Sequence, residues 1–349
     1  MDFFKSISTG LDNEYAGLAA DGITAGDITG FLPTGSYMFN AMLSGDLFGG
    51  VPSNKITVIA GEEATGKTFF LLGIIKHFLD NNEQGMVVFF ESESAISKAM
   101  LEERGLDTKR IMVVPVATIQ EFRHQILKVV DNYEKMDVAD RRPMMLSLDS
   151  FGMLSTTKEV EDTMEGSETK DMTRAAIAKA LFRVLTLKLG KLDLPLLITN
   201  HTYQSMGMFS TKEMSGGTGL KYSASNIVFL GKRKEKDGAS GPVIGSIVRC
   251  TLKKGRLTRE NSQVEVMLTY DKGLHPYFGL TDLALEAGVF KKASTRIELP
   301  DGTTQFAKAI NKSPEKYFTQ DVMDELNKFA ATKFLYGDSG EIEEDDEDE

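Results

Sequence analysis

The sequence predicts an α/β fold: a mostly parallel, twisted sheet with helices on both faces and an antiparallel extension. Three observations predict it. Short β-rich runs alternate with stretches of helical length along the first two hundred or so residues. The runs are nearly continuous apolar strings, as strands buried on both faces require. After Asn226 the pattern changes to strands joined by short, polar, Gly-containing turns.

Taken in order, the buried-strand runs are Lys55 to Ala60, Met86 to Glu91, Ile111 to Val116, Met144 to Leu148 and Pro195 to Thr199. Between them, Lys67 to Asp80, Thr118 to Lys135 and Asp171 to Leu189 have helical length and apolar spacing, the alternation of a parallel sheet. Asn226 to Gly231, Ile247 to Leu252 and Gln263 to Tyr270 read as the antiparallel extension. Beyond Asp271, a helix near Leu280 to Ala287, a hairpin across Pro300-Asp301-Gly302 and a helix from about Pro314 to Thr332 predict a small terminal α/β domain. The expected plan is an arm over residues 1–32, a core over 33–270, a small domain over 271–337 and a disordered acidic tail over 338–349. No repeat of 20 to 50 residues is visible, which argues against solenoids and propellers.

Composition narrows the class further. Of 349 residues, 41% are hydrophobic and 26% charged, with 32 Gly and 9 Pro, which excludes collagenous, disordered and disulfide-scaffold proteins. Cys250 is the single cysteine, so no internal disulfide can form. No apolar run approaches the roughly 20 residues of a membrane span, and Met1 to Gly10 lack the regions of a signal peptide. A reducing cytoplasm and no membrane partner are expected. The net charge of −11 conceals an asymmetry: nine acidic residues lie in Asp338 to Glu349, while Lys212 to Glu260 hold eleven basic residues against four acidic. A basic middle and an acidic tail point to a polyanion ligand and a segment that competes with it; the plainer reading is a solvated surface with a solubilising tail.

Gly61-Glu62-Glu63-Ala64-Thr65-Gly66-Lys67-Thr68 fits G-x-x-x-x-G-K-[ST] between a predicted strand and a predicted helix. The glycines let backbone N–H groups turn inward around a phosphate chain, and the helix presents its positive end to the same phosphates. Lys67 supplies charge to the β and γ phosphates and the Thr68 hydroxyl a ligand to Mg²⁺. Asp149, ending the apolar strand Met144 to Leu148, is expected to hold a magnesium-bound water. The expected ligands are therefore a nucleoside triphosphate, which the family resemblance below makes ATP, and Mg²⁺. Hydrolysis needs a base that orients a water in line with the γ-phosphate. Side-chain alternation past the strand Met86 to Phe90 leaves Glu91 and Glu93 as candidates, with Glu93 favoured.

Pro33-Thr34-Gly35-Ser36, Gly49-Gly50-Val51-Pro52 and the phosphate loop together resemble the opening of the RecA-type recombinase core. The likeness extends through Asp171-Met172-Thr173-Arg174-Ala175, Leu181-Phe182-Arg183, Asn200-His201-Thr202-Tyr203, Gly216-Gly217-Thr218-Gly219, Tyr222-Ser223-Ala224, Gly231-Lys232-Arg233 and Lys236-Asp237-Gly238. It covers roughly Phe31 to Gly288 and, within the family, is similar to the recombinases of T-even-type phages. The resemblance implies a RecA-like P-loop NTPase core. It also implies that Glu93 is the catalytic glutamate, and that His201, after Asn200, is the γ-phosphate sensor where a glutamine is usual. Lys254 and Arg256 match a basic pair that reaches a neighbour's ATP across the subunit interface, acting as an arginine finger does. One departure is Met100, where the family places a flat group over adenine.

Two segments, about Ser155 to Lys170 and Thr202 to Gly219, read as long polar loops. In RecA-type filaments the matching loops line the axis and hold single-stranded DNA. The second carries Tyr203, Met206, Met208, Phe209 and Lys212 before the Gly216-Gly217 hinge, groups that stack on bases or hold phosphates regardless of sequence. The first has five acidic and no basic residues from Glu159 to Glu168, so its contacts are expected from Lys158, Lys170 and Arg174. The resemblance thus implies a DNA-dependent ATPase that forms a helical homo-oligomeric filament on single-stranded DNA, pairs it with homologous duplex DNA and exchanges strands. A single-stranded DNA-binding protein and a recombination mediator are the expected partners, in a phage-infected bacterial cytoplasm. Phe3 and Phe4 in the arm are the expected polymerisation contact. The alternatives are a hexameric helicase, which would form closed rings, and a nucleotide-gated DNA-binding regulator, which would show no DNA-stimulated turnover.

Overall fold

The structure is a computed structural model that describes residues 3, 9–11, 13, 16–166, 173–204, 212–215, 217–232, 245–269 and 273–337. A two-stranded ribbon of β1 (Phe31–Leu32) and β2 (Val51–Pro52) brackets helix α1 (Tyr37–Ser44). Then follow β3 (Ile56–Gly61), α2 (Lys67–Asn81), β4 (Met86–Glu91), α3 (Lys98–Glu103), β5 (Ile111–Pro115), α4 (Ile119–Glu134) and β6 (Met144–Asp149). Next come α5 (Thr157–Met164), α6 (Arg174–Leu192), β7 (Leu196–Gln204), β8 (Lys212–Met214), α7 (Thr218–Ser223) and β9 (Asn226–Lys232). β10 (Gly245–Gly255), β11 (Gln263–Thr269) and β12 (Gly273–Leu274) complete the main sheet.

That sheet has ten strands in the order β12-β11-β10-β9-β3-β7-β6-β4-β5, with β8 paired to β7. The pairings from β9 through β5 are parallel and those from β12 to β9 antiparallel, as the apolar runs predict. Alternation along β3 sends Val58 and Ala60 to one face and Ile59 to the other, and all three are buried. One face packs α1 and α2 through Phe39, Phe70 and Ile74. The opposite face packs α4 and α6 through Phe122 and Phe182. Phe90 meets Phe122 edge-on at 5.2 Å, so Phe122→Ala should cost about 3–5 kcal/mol. α4 starts at a capping box in which Thr118 and Glu121 satisfy each other's backbone N–H groups.

The C-terminal part contains α8 (Leu280–Glu286), the three-stranded sheet β13 (Lys291–Ala293), β14 (Arg296–Glu298) and β15 (Thr304–Gln305), then α9 (Ala307–Lys312) and α10 (Gln320–Phe334). The predicted hairpin turn is present: Asp301 Oδ1 accepts from the Thr303 N–H at 2.9 Å, between β14 and β15. Phe290, Phe318, Leu326 and Phe334 join Met42 and Leu43 in one apolar cluster with the first face of the main sheet. Gly45, with φ of 76°, ends α1 where Leu335 approaches; a Cβ there would lie 2.4 Å from the Leu335 side chain.

Four expectations change. β5 reads as a strand buried on both faces, yet it is the sheet's edge, with Met112 and Val113 substantially exposed. The apolar run records only that a surface is apolar, not that this chain covers it. The first polar segment contains the helix α5, nucleated by a capping box of Thr156 and Glu159. The second is flanked by structure on both sides: β7 continues to Gln204 and pairs back to β8, because polar Thr202 to Gln204 still alternate along an extended strand. The helix read as Asp171 to Leu189 starts, among the described residues, at Arg174 and runs to Leu192.

Candidate nucleotide and DNA site

The loop from Gly61 to Lys67 links β3 to α2 with two residues in the left-handed region, Ala64 at φ 58° and Gly66 at φ 88°. Gly66 stands at the N-cap of α2, so the first N–H groups of a fifteen-residue helix open toward the loop. Thr65 Oγ donates to the Glu62 carbonyl at 2.9 Å and Lys67 Nζ to the same oxygen at 3.0 Å, which curls the loop. Glu62, Glu63 and Ala64 form its exposed crest. Lys67 is buried, and burial pushes its ammonium below the usual lysine range.

Asp149, at the end of β6, is 2% exposed. Thr68 Oγ donates to its Oδ2 at 2.6 Å, and Thr199 Oγ donates to its Oδ1. Burial raises the Asp149 carboxyl and the two hydroxyls oppose that rise. A hydroxyl bonded to a buried carboxylate beside a phosphate loop is a donor set suited to Mg²⁺, which keeps most of its shell as phosphate and water. Among the described residues no group of three or more His, Cys, Asp or Glu could hold a metal by itself.

Beyond β4 the two candidate carboxylates separate by geometry. Glu91 Oε1 accepts from the backbone N–H groups of Glu93 at 3.0 Å and Ala95 at 2.9 Å, so this buried side chain ties its own turn. Glu93 instead faces His201: Nε2 of the imidazole lies 3.0 Å from Glu93 Oε1, and Ser150 Oγ donates to the same oxygen. The His201 bond first, and Ser150 after it, hold the Glu93 carboxyl below the usual range against the desolvation that would raise it.

His201 sits on β7 one residue past Asn200, and the two are knitted to β8. Asn200 Nδ2 donates to the Ser215 carbonyl at 2.8 Å, Ser215 Oγ to Asn200 Oδ1 at 2.6 Å, and the Ser215 N–H to the His201 carbonyl at 3.0 Å. The hairpin therefore carries the imidazole at its base and Tyr203, 52% exposed, farther out. Lys212 Nζ is 2.7 Å from Glu62 Oε1, an ion pair from β8 to the crest of the phosphate loop.

The structure thus brings together Lys67, Thr68, Glu93, Asp149, Asn200 and His201, with Lys212 tied to the loop from outside. Lys254 and Arg256 lie elsewhere, on and just after β10. Lys254 Nζ donates to the carbonyls of Lys221 and Tyr222 at 2.8 and 2.9 Å, and Arg256 reaches the Tyr222 carbonyl at 3.4 Å. Burial pushes the Lys254 ammonium down, and the Arg256 charge adds to that. Arg174 turns inward, donating to the carbonyls of Phe151 and Gly152 at 3.1 and 3.0 Å, so it braces the segment after β6. Lys158 is exposed on α5. Met100, in the first turn of α3, packs partly buried against the apolar cluster. Gly217, at φ 76°, stands at the N-cap of α7. Lys170, Met206, Met208, Phe209, Gly216 and the arm's Phe4 lie outside the described residues.

Sequence reasoning missed three hydroxyls: Ser150, Thr199 and Ser215. None had a signal in the sequence: Thr199 reaches Asp149 only because the parallel register pairs Leu148 with Ile198, which sets the next residues, Asp149 and Thr199, side by side at the strand ends.

A phosphate loop and a strand-end carboxylate on a mostly parallel sheet define the P-loop class of nucleotide-binding proteins. The profile of the RecA N-terminal domain matches residues 23–275, and the chain belongs to the RecA family. The recombination and repair protein of Enterobacteria phage T4 is 33% identical over 256 residues, 73% of this chain and 63% of the relative. Protein RecA of Thermus thermophilus is 26% identical over 291 residues, 81% of each chain. Protein RecA of Brucella anthropi is 28% identical over 267 residues, 75% of this chain and 69% of the relative. The match to the phage protein spans less than two thirds of that relative's length. Among the described residues no helix is long and apolar enough to cross a membrane.

Proposed function

We propose that the chain is a DNA-dependent ATPase that assembles as a helical filament on single-stranded DNA, pairs it with homologous duplex DNA and exchanges strands. The observation that carries the reading is the Glu93–His201 contact, since it joins a carboxylate beside the phosphate loop to the base of the β7–β8 hairpin. ATP is the substrate, cradled by Gly61 to Thr68. Mg²⁺, held through Thr68 and through water on Asp149, would neutralise charge on the β and γ phosphates.

Glu93, held below the usual carboxylate range by two donors, accepts the proton of the attacking water. Lys67 cradles the β and γ phosphates. His201 can release Glu93 and donate to the terminal phosphate, which moves the base of the hairpin and thereby its grip on DNA. Hydrolysis removes that phosphate and lets the hairpin return. Lys254 and Arg256, positioned by the carbonyls at the end of α7, act on the nucleotide of a neighbouring protomer, so turnover requires assembly. DNA contacts come from Tyr203 and Lys212, together with Lys158 and the loop residues Lys170, Met208, Phe209 and Gly216. Arg174 contributes by bracing Phe151 and Gly152. A single-stranded DNA-binding protein and a mediator that loads the filament complete the system, in the cytoplasm of a phage-infected bacterium.

Joint-molecule formation between a single-stranded circle and its linear duplex tests the reading. Products that need ATP and homology are expected. Products absent under conditions that support DNA binding would overturn it.

A further inference from the structure

Glu93 Oε1 accepts two hydrogen bonds, and the two donors differ in kind. His201 is about one third exposed and stands at the root of a hairpin whose next segment is a candidate DNA contact. Ser150 is fully buried. Its backbone is clamped to the turn after β4: the Ser150 N–H donates to Ser92 Oγ at 2.8 Å, Ser92 Oγ donates to the Ser150 carbonyl at 2.8 Å, and the Ser92 N–H donates to the Asp149 carbonyl at 2.9 Å. A carboxylate has no proton to give, so the serine hydroxyl must be the donor. A neutral, buried hydroxyl on a fixed backbone keeps its place when charges nearby change.

We infer that Ser150 is the positioning residue for Glu93, holding Oε1 in both nucleotide states while His201 is the donor that leaves. This rests on the reading of Glu93 as the base. With Oε1 held by Ser150, the carboxylate cannot rotate when the imidazole departs, and Oε2 stays available to a water. The same bond stabilises the ionised form, so Glu93 remains a competent base inside the complex, where His201 no longer supports it.

The test is steady-state ATPase kinetics with single-stranded DNA over a pH series, on the full chain. The variants are Ser150→Ala, Ser150→Gly, Ser150→Thr and Glu93→Gln, with binding of a fluorescent ATP analogue and thermal melting measured in parallel. Ser150→Ala and Ser150→Gly should lower kcat about ten- to hundredfold, the loss of one hydrogen bond to a charged group. KM and analogue affinity should stay within about twofold, and the acid limb of kcat should move to higher pH. Ser150→Thr, which keeps the hydroxyl, should recover most of the turnover and the wild-type limb. Unchanged kcat and acid limb in both Ala and Gly variants, with Glu93→Gln inactive, would overturn the role of Ser150 alone. A raised KM at unchanged kcat would also overturn it, because that marks a binding or structural role. Full turnover in Glu93→Gln would remove the base itself and this inference with it.

Discussion

The His201 imidazole lies 3.0 Å from the Glu93 carboxylate, so a residue at the root of the β7–β8 hairpin and a residue beside the phosphate loop share one hydrogen bond. That bond helps hold the Glu93 carboxyl below its usual range. A depressed carboxyl keeps its charge until pH falls through the lowered value, and removing the donor returns the transition to higher pH. His201→Ala should therefore shift the acid limb of kcat/KM upward, since that quantity reports the free enzyme. It should also cut DNA stimulation of turnover about tenfold, the worth of one hydrogen bond, while ATP affinity changes little. The pH profile with and without DNA checks both.

Lys254 is held by the carbonyls of Lys221 and Tyr222 rather than by any described residue of the phosphate loop. Lys254→Ala should keep ATP affinity within about threefold and lose at least about 10³-fold in turnover, as loss of an arginine finger does. Equilibrium nucleotide binding and single-turnover hydrolysis are the two measurements. Full turnover in this variant would remove catalysis across the interface.

Thr199 and Thr68 grip the two oxygens of Asp149 from opposite sides. If Thr68 were to hold Mg²⁺, as proposed, Thr199 would be the donor left on Asp149. Thr199→Val keeps the shape and deletes the hydroxyl, leaving a buried carboxylate short of one partner. Stability should fall by about 1–3 kcal/mol, and half-maximal Mg²⁺ for binding of an ATP analogue should rise severalfold. Denaturant titration and a Mg²⁺ series check the two halves.

The Lys212–Glu62 pair joins two half-exposed side chains, so water screens it and salt weakens it further. It nonetheless occupies a cation that the proposed function assigns to DNA. Glu62→Gln should tighten single-stranded DNA binding about two- to fivefold at low salt, with the gain vanishing as salt rises. Lys212→Ala should weaken binding and reduce the salt slope by about 0.7 for one lost phosphate contact on a single strand.

The sheet was legible because its central strands are apolar without interruption: Val58, Ile59 and Ala60 announce burial on both faces by composition alone. β5 carries a similar signal and misleads, since Met112 and Val113 are apolar at an edge that the described residues leave exposed. The phosphate loop was legible from local spacing, because glycine, lysine and threonine act within a few bonds of one another. The hydroxyls of Ser150 and Thr199 were not, because their partners lie 57 and 50 residues away and only strand register brings them together. Glu91 and Glu93 are alike in sequence and differ only in which donors reach them, a matter of the turn's backbone.

The proposed coupling runs from the terminal phosphate, read by His201, to the grip of the β7–β8 hairpin on DNA. Its most direct measurement is fluorescence anisotropy of a labelled oligothymidine strand titrated with the protein, in Mg²⁺ with an ATP analogue that is not hydrolysed or with ADP. Binding at least about tenfold tighter with the triphosphate is expected, a difference of one hydrogen bond or more, as is loss of that difference in His201→Ala. Equal affinity with both nucleotides in the wild-type chain would contradict it.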